Sequence, residues 1–219
     1  MSAPAPDMTG VPDLVQEKSE AEARGHFWAY RQHMHPRALR GWWQEAVCDE
    51  FDAFFHDLAA GLRPKMMLVA PPQHGKSEIV TDFVSYVAGK LPDHRSIFTS
   101  YSEDLGLKTN LALQRLMDTP RYSGVFPATR LGQFGRTAQR AKRTDYLLEY
   151  VGHRGSFVNT TVNGQITGQG LDLGVIDDPI KGREAAHSKA IRDKAWGWLV
   201  DDFFTRFAET AGMIITTTR

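Results

Sequence analysis

Apolar residues recur along this chain with two different periods, and their alternation predicts the architecture. Residues 38–62 place Trp42, Trp43, Val47, Phe51, Phe54, Phe55 and Leu58 at helical spacing, with Gly61 positioned to stop the helix. Residues 65–69 form a short apolar run, Lys65-Met66-Met67-Leu68-Val69. Ile79, Val80, Phe83, Val84 and Val87 then follow at i, i+3, i+4, so a strand, a loop and a helix are expected in succession. Residues 21–34 read as an earlier helix. Residues 95–100 read as a second strand, and residues 105–117 as a helix ended by Asp118-Thr119-Pro120.

The later part is less regular. Residues 146–151 and 156–162 alternate like paired strands around His153-Arg154-Gly155. Residues 171–176 read as a buried strand, residues 185–207 as a long amphipathic helix or a pair of helices, and residues 213–218 as a final strand. Strands alternating with helices imply a mostly parallel sheet covered on both faces. Residues 1–20, rich in Ala, Pro and acidic side chains and without periodicity, read as a flexible leader. That leaves residues 21–219 for the folded domain.

Composition narrows the class. A chain of 219 residues with 42% hydrophobic content suits one α/β domain, with room for a small lid or arm. Its 26 basic and 26 acidic residues leave no net charge, so any contact with nucleic acid has to be local. The single cysteine, Cys48, excludes an intramolecular disulfide, fits a reducing cytoplasm and falls on the apolar helix pattern as a core residue. No apolar run approaches transmembrane length and the start has no signal-peptide core, so a soluble intracellular protein is expected.

The candidate chemistry lies between the first strand and its helix, in Ala70-Pro71-Pro72-Gln73-His74-Gly75-Lys76-Ser77. This is the sequence form of a phosphate-cradling loop opening a helix. In such a loop the backbone amides would wrap a β-phosphate, Lys76 would neutralise the β/γ-oxygens of ATP and the Ser77 hydroxyl would ligate Mg²⁺, the alternative being an ordinary strand–turn–helix junction with Lys76 as a solvated first-turn residue. Ala70 stands where such loops usually begin with Gly, and two prolines follow it.

Such a loop needs a distant carboxylate for the metal, and a hydrolase needs one for water. Leu173-Gly174-Val175-Ile176-Asp177-Asp178 supplies both: Asp177 beside Ser77 to hold Mg²⁺, and Asp178 pointing at the γ-phosphate. A plain strand-end cap with a solvated neighbour, before the turn at Pro179, is the alternative for this pair. In nucleoside triphosphatases with a strand inserted between the loop and acid strands, the next strand carries a polar tip that senses the γ-phosphate. Thr216, Thr217 and Thr218 fit that role, or else mark a threonine-rich strand end.

These residues together resemble the ATPase domain of the large terminase subunit of tailed bacteriophages, over most of residues 63–219. The loop from Ala70 to Ser77 with Glu78 is similar to that family's proline-containing Walker A loop. Ser100-Tyr101-Ser102 with Asp104-Leu105, and Tyr122 with Phe126-Pro127, resemble the segments that follow. Gly164 to Gly170, leading into Val175-Ile176-Asp177-Asp178-Pro179, resembles the Walker B approach. Ser188, the helix around Trp196 and Trp198, and Arg206 fit the lid segment, residues 181–207. Thr216-Thr217-Thr218-Arg219 resembles the coupling motif.

The resemblance implies an α/β P-loop NTPase of the additional-strand catalytic-acid type, with a mostly parallel sheet flanked by helices and a small lid subdomain. It also implies ATP and Mg²⁺ as cofactors, and double-stranded DNA, a portal protein and a small terminase subunit as partners. A homo-oligomeric ring would work on the procapsid in the host cell cytoplasm, away from membranes. Full-length members carry a C-terminal metal nuclease domain; nothing of it follows Arg219, and nuclease activity is not expected. The chain departs from the family where Gln73 replaces a loop Arg, and where Thr167 and Gln169 occupy the turn before Walker B.

An arginine finger supplied by a neighbouring subunit matches no residue cleanly. Arg143 and Arg154 are the candidates, with Arg136 and Arg140 behind them, and a solvated or DNA-facing role is the alternative. Trp43 and Gln44 read either as an adenine contact, through the two-way hydrogen bonding of a Gln amide, or as ordinary helix residues. His33 and His35 carry little as a metal pair. Two rival functions share the same core: a helicase-type translocase, and a nucleotide-binding ring subunit that hydrolyses nothing.

Overall fold

One six-stranded sheet organises the chain, in the order β1 (Lys65–Ala70), β6 (Phe207–Thr218), β5 (Leu171–Asp177), β2 (Arg95–Ser100), β4 (Ser156–Thr161), β3 (Leu147–Glu149). A computed structural model describes residues 14–38, 40–132, 141–164, 166 and 170–218. Every neighbouring pair is parallel except β3 with β4, a hairpin across the turn at residues 151–155. The parallel pairs require crossovers, and most of the helices supply them.

On one face lie α1 (Leu14–Gly25), α2 (Phe27–Met34), α3 (Trp42–Ala59), α4 (Lys76–Lys90), α5 (Glu103–Met117) and α6 (Pro120–Val125). Their apolar stripes meet in a ring cluster of Phe27, Tyr30, Phe51, Phe83 and Tyr86, in which Phe51 and Phe83 approach to 4.7 Å between centroids. On the other face, α7 (Gly182–His187) and α8 (Lys189–Trp198) lead into a π-turn, Leu199–Phe203, and a 3-10 turn, Phe204–Arg206. Trp198, Phe203 and Phe207 cover Ile97, Ile176, Met213 and Ile215 there. Gly174 makes room for them, because a Cβ on it would stand 2.8 Å from the Phe207 ring and 3.0 Å from Phe203.

Several boundaries differ from the sequence reading, each for a packing reason. Helix α1 begins at Leu14, inside the segment read as a leader, and only its Ala23 is buried, so periodicity gave it no signal. The helix expected over 21–34 divides into α1 and α2 because Asp52 of α3 accepts the Phe27 amide hydrogen at 2.8 and 3.0 Å, capping a new helix. The helical run expected to reach residue 207 ends at Arg206, and Phe207 starts β6, six residues before the strand expected at 213. Phe203 and Phe207 share helical spacing, but Phe207 is claimed by its pairing with Leu171.

Candidate functional site

β1 and α4 are joined by the proline-containing loop, and the backbone reverses there through two left-handed residues, Gln73 (φ 62) and Gly75 (φ 76). A Cβ on Gly75 would meet nothing within 4 Å, so its φ, not its space, calls for glycine. The prolines donate no amide hydrogen, so the loop's donors lie at residue 73 and beyond, where the N-terminal amides of α4 have no intrahelical acceptor. Lys76, the first residue of α4, is buried, and its Nζ donates to the carbonyls of Ala70 (2.6 Å) and Pro71 (3.0 Å). The His74 ring bonds the Pro72 carbonyl at 2.9 Å and packs edge-on against Trp43, 5.9 Å between centroids.

The second half of the site is the tip of β5. Asp177 is buried and accepts from Ser77 Oγ at 2.9 Å and from Thr216 Oγ1. Burial pushes its carboxyl above the usual range, against the pull of both hydrogen bonds. Asp178 follows with φ 43. Its amide donates to the Thr216 carbonyl at 3.0 Å, and its carboxylate accepts from the Thr218 amide (2.8 Å) and Thr218 Oγ1 (2.9 Å).

These bonds follow from strand order. β6 lies between β1 and β5, in a register that sets Ala70 beside Thr218 and Asp177 beside Thr216. Thr217 pairs with Val69, and among the described residues its side chain makes no hydrogen bond. The inserted strand therefore ties the loop strand to the acid strand. Ser77 Oγ and the Asp177 carboxylate are hard oxygen donors converging at one point, a donor set that suits Mg²⁺.

Two cavities flank the loop. One of about 390 Å³ is lined by Gln44, Gln73, His74, Gly75 and Arg31, which places Trp43 and Gln44 against the loop. The other, about 350 Å³, opens between α4 and α5 beside Ser77 and Asp177 and takes in Lys108 and Thr109. Sequence reasoning missed the polar cluster behind the loop. Arg31 Nε donates to Asp82 at 2.7 Å and its Nη2 to Glu78 at 2.9 Å, while His35 Nε2 meets Asp82 Oδ1 at 2.9 Å. The i,i+4 spacing of Glu78 and Asp82 was the one available signal; nothing pointed to Arg31 as their partner.

The candidate arginines lie elsewhere. Arg143 Nε donates to Gln114 Oε1 at 2.8 Å, and its Nη1 and Nη2 to the Asp118 carboxylate at 3.1 and 2.5 Å. Exposed Arg154 sits in the turn before β4, beside Arg95 and Asp172 at the strand ends opposite Asp177. Arg136, Arg140, Thr167, Gln169 and Arg219 lie outside the described residues.

Sheet order, inserted strand and loop define a P-loop NTPase fold of the additional-strand class. No family model matches this chain, and no curated protein matches it. Among solved structures it is similar to the HK97 bacteriophage large terminase, at 11% identity and a TM-score of 0.51, over 82% of this chain and 33% of that one. The chain thus spans about a third of the length of that protein. The Thermus phage P74-26 large terminase ATPase domain also aligns, at 18% identity and a TM-score of 0.42, over 71% of this chain and 60% of that one. Among the described residues, no helix is long and apolar enough to cross a membrane.

Proposed function

We propose that this chain hydrolyses ATP to drive double-stranded viral DNA into a procapsid, as the motor domain of a terminase large subunit. The observation that carries the reading is the contact between Ser77 and Asp177 across an inserted strand whose threonines bond both acids. Likeness of fold to a bacteriophage large terminase supports it. Mg²⁺ held by Ser77 and Asp177 would neutralise the β/γ-oxygens of ATP.

The loop amides and Lys76 bind the phosphates, for which Lys76 must leave the carbonyls of Ala70 and Pro71. Gln44 and Trp43 stand where the base can be held, beside the cavity at Gln73 and His74. Asp178 accepts a proton from the attacking water once its carboxylate turns from Thr218. Thr216, Thr217 and Thr218 link the γ-phosphate state to movement. The neighbouring subunit supplies an arginine, Arg143 or Arg154. A ring of copies, the portal protein and the small terminase subunit complete the machine in the host cytoplasm.

Phosphate release, measured with and without duplex DNA at rising protein concentration, tests this reading. Turnover that rises with DNA and with concentration supports a packaging motor. No turnover at any concentration favours the non-hydrolysing ring subunit, against which the pair Asp177 and Asp178 argues. Strand separation of a duplex would favour the helicase-type core.

A further inference from the structure

Beyond the tip of β5 the chain turns back over the sheet and brings one more cation towards the acid pair. Asp178 (φ 43) and Gly182 (φ 71) both have left-handed backbones, and they bracket Pro179-Ile180-Lys181. Pro179 and Ile180 line an apolar groove beneath α8, which anchors the segment on the sheet, while Lys181 is exposed. Its Nζ lies over the ring of Tyr101, 5.9 Å from the centroid. Among the described residues Lys181 makes no ion pair. It also makes no capping bond to α7, which starts at the next residue.

Sheet register places this contact. Tyr101 follows Ser100, which pairs with Asp177 across β2 and β5. Neighbouring strands stand about 4.7–4.9 Å apart, so the ring is one strand over from the buried acid. The phosphate loop leaves β1, Thr218 ends β6, the two acids leave β5 and Tyr101 leaves β2, in that order across the sheet. Lys76 and Lys181 therefore flank the tips of β6 and β5 from opposite sides. Asp177 and Asp178 bring two carboxylates to those tips. A terminal phosphate beside them is repelled unless cations outweigh them. The hold of an exposed ring on a lysine is weak, worth about two- to fivefold in population.

We propose that Lys181 is a ligand of the γ-phosphate, its ammonium leaving the Tyr101 face for the third phosphate when a nucleoside triphosphate binds. The inference rests on the reading of the loop and the acid pair as a nucleotide site, and it names a residue of that site which tells triphosphate from diphosphate. The β-phosphate lies on the loop side with Lys76, away from β2, so a diphosphate gives Lys181 no cause to leave the ring. A phosphate oxygen outcompetes the ring because the new contact is charge-assisted from both partners. Lys181 lies three residues from Asp178 and immediately before α7, so its swing also links the third phosphate to the helices that follow the acid pair.

Binding tests this without turnover. Calorimetric titrations with Mg²⁺ and either ADP or a non-hydrolysable imido analogue of ATP give the ratio of the two affinities, and thermal midpoints check that each variant folds like the parent. Lys181→Ala should lower affinity for the analogue by about tenfold and leave that for ADP within about twofold. Lys181→Arg should recover most of the loss. Tyr101→Phe should bind like the parent, whereas Tyr101→Leu, which removes the resting face, should raise affinity for the analogue by about two- to fivefold. An unchanged ratio in Lys181→Ala, an equal loss of both nucleotides, or weaker analogue binding in Tyr101→Leu overturns the proposal. So does a ratio lost in Lys108→Ala instead, since Lys108 lines the cavity beside Ser77 and Asp177. Loss of duplex DNA binding in Lys181→Ala at an unchanged ratio overturns it too, and would assign the lysine to nucleic acid. A parent chain that binds both nucleotides but releases no phosphate removes hydrolysis from the proposed function, while the ratio still decides the role of Lys181. A parent that binds neither overturns both.

Discussion

Thr218 holds the carboxylate of Asp178 at both oxygens, through its amide at 2.8 Å and its hydroxyl at 2.9 Å. Asp178 reaches this position with a left-handed backbone, φ 43, which costs a non-glycine residue about 1–3 kcal/mol. The acid proposed to activate water is therefore docked on the strand proposed to sense phosphate. Asp178→Asn is expected to leave nucleotide affinity intact and lower turnover by about 10²–10⁴-fold, the usual worth of a general base. Thr218→Val should lower kcat with KM unchanged, and Thr218→Ser should recover it. Steady-state phosphate release and nucleotide titration separate these outcomes, and parental turnover in Asp178→Asn would exclude its role.

Among the described residues Lys76 Nζ hydrogen-bonds two loop carbonyls, and Asp177, whose carboxylate feels its charge, keeps the bonds from Ser77 and Thr216 without it. Lys76→Ala is expected to fold normally and to lose ATP turnover. In the parent chain, nucleotide at a hundredfold excess over Kd is expected to stabilise by about 2.7 kcal/mol, read as a rise in thermal midpoint. The variant should show no such rise. A preserved shift would mean that the nucleotide is held elsewhere.

Arg143 clamps the end of α5 through Gln114 and Asp118, and Gln114 in turn bonds Asn110, which bonds Asn159 of β4 at 2.8 Å. Arg143→Ala should therefore lower stability by about 1–3 kcal/mol, towards the lower end because Asp118 is half exposed. Turnover per folded molecule should persist in the unassembled chain, where no arginine from a neighbour acts. Arg154→Ala, with no side-chain partner lost, should leave the midpoint unchanged. A fall in assembled-state turnover per folded molecule, beyond what any loss of stability explains, would mark either arginine as the one that acts across subunits.

His35 gains its proton more readily than usual because its ring bonds Asp82, whose carboxylate also holds Arg31. A histidine pKa raised on folding contributes stability that is whole below the unfolded value of about 6.5 and is lost as pH rises through the folded value. The stability difference between the parent and His35→Gln, from urea unfolding, should be largest in mild acid and shrink on going alkaline. A difference independent of pH would mean that the ring acts by packing alone.

Local signals carried the first half of the site and the strand alternation. The run ending at Val69, the turn-forming Gly75 and the helical spacing of Ile79, Phe83 and Val87 are all read within one short window, and β1 and α4 appear where that window puts them. Asp177 and Asp178 were legible as a strand end. The approach of Asp177 to Ser77 was expected from the loop's need for a carboxylate; the bonds from Thr216 and Thr218 were not, because sheet register sets them. Asp52 capping α2 and Arg31 clasping α4 were equally invisible, being contacts between helices far apart in sequence. The start of β6 was misplaced because Phe207-Ala208-Glu209-Thr210 has no strand pattern of its own; pairing with β5 imposes one.

The place of β6 between β1 and β5 also orders events in time. It leaves the ribosome after the other five strands, yet β1 pairs only with it, Lys65 waiting for Met213 and Ala70 for Thr218. A nascent chain can build α4, β2 and β5 and still own no site, since Asp177 and Asp178 lack their threonine partners until the last strand slides home. Long-range closure of this kind is slow. The proposed nucleotide site is therefore complete only once β6 has joined the sheet.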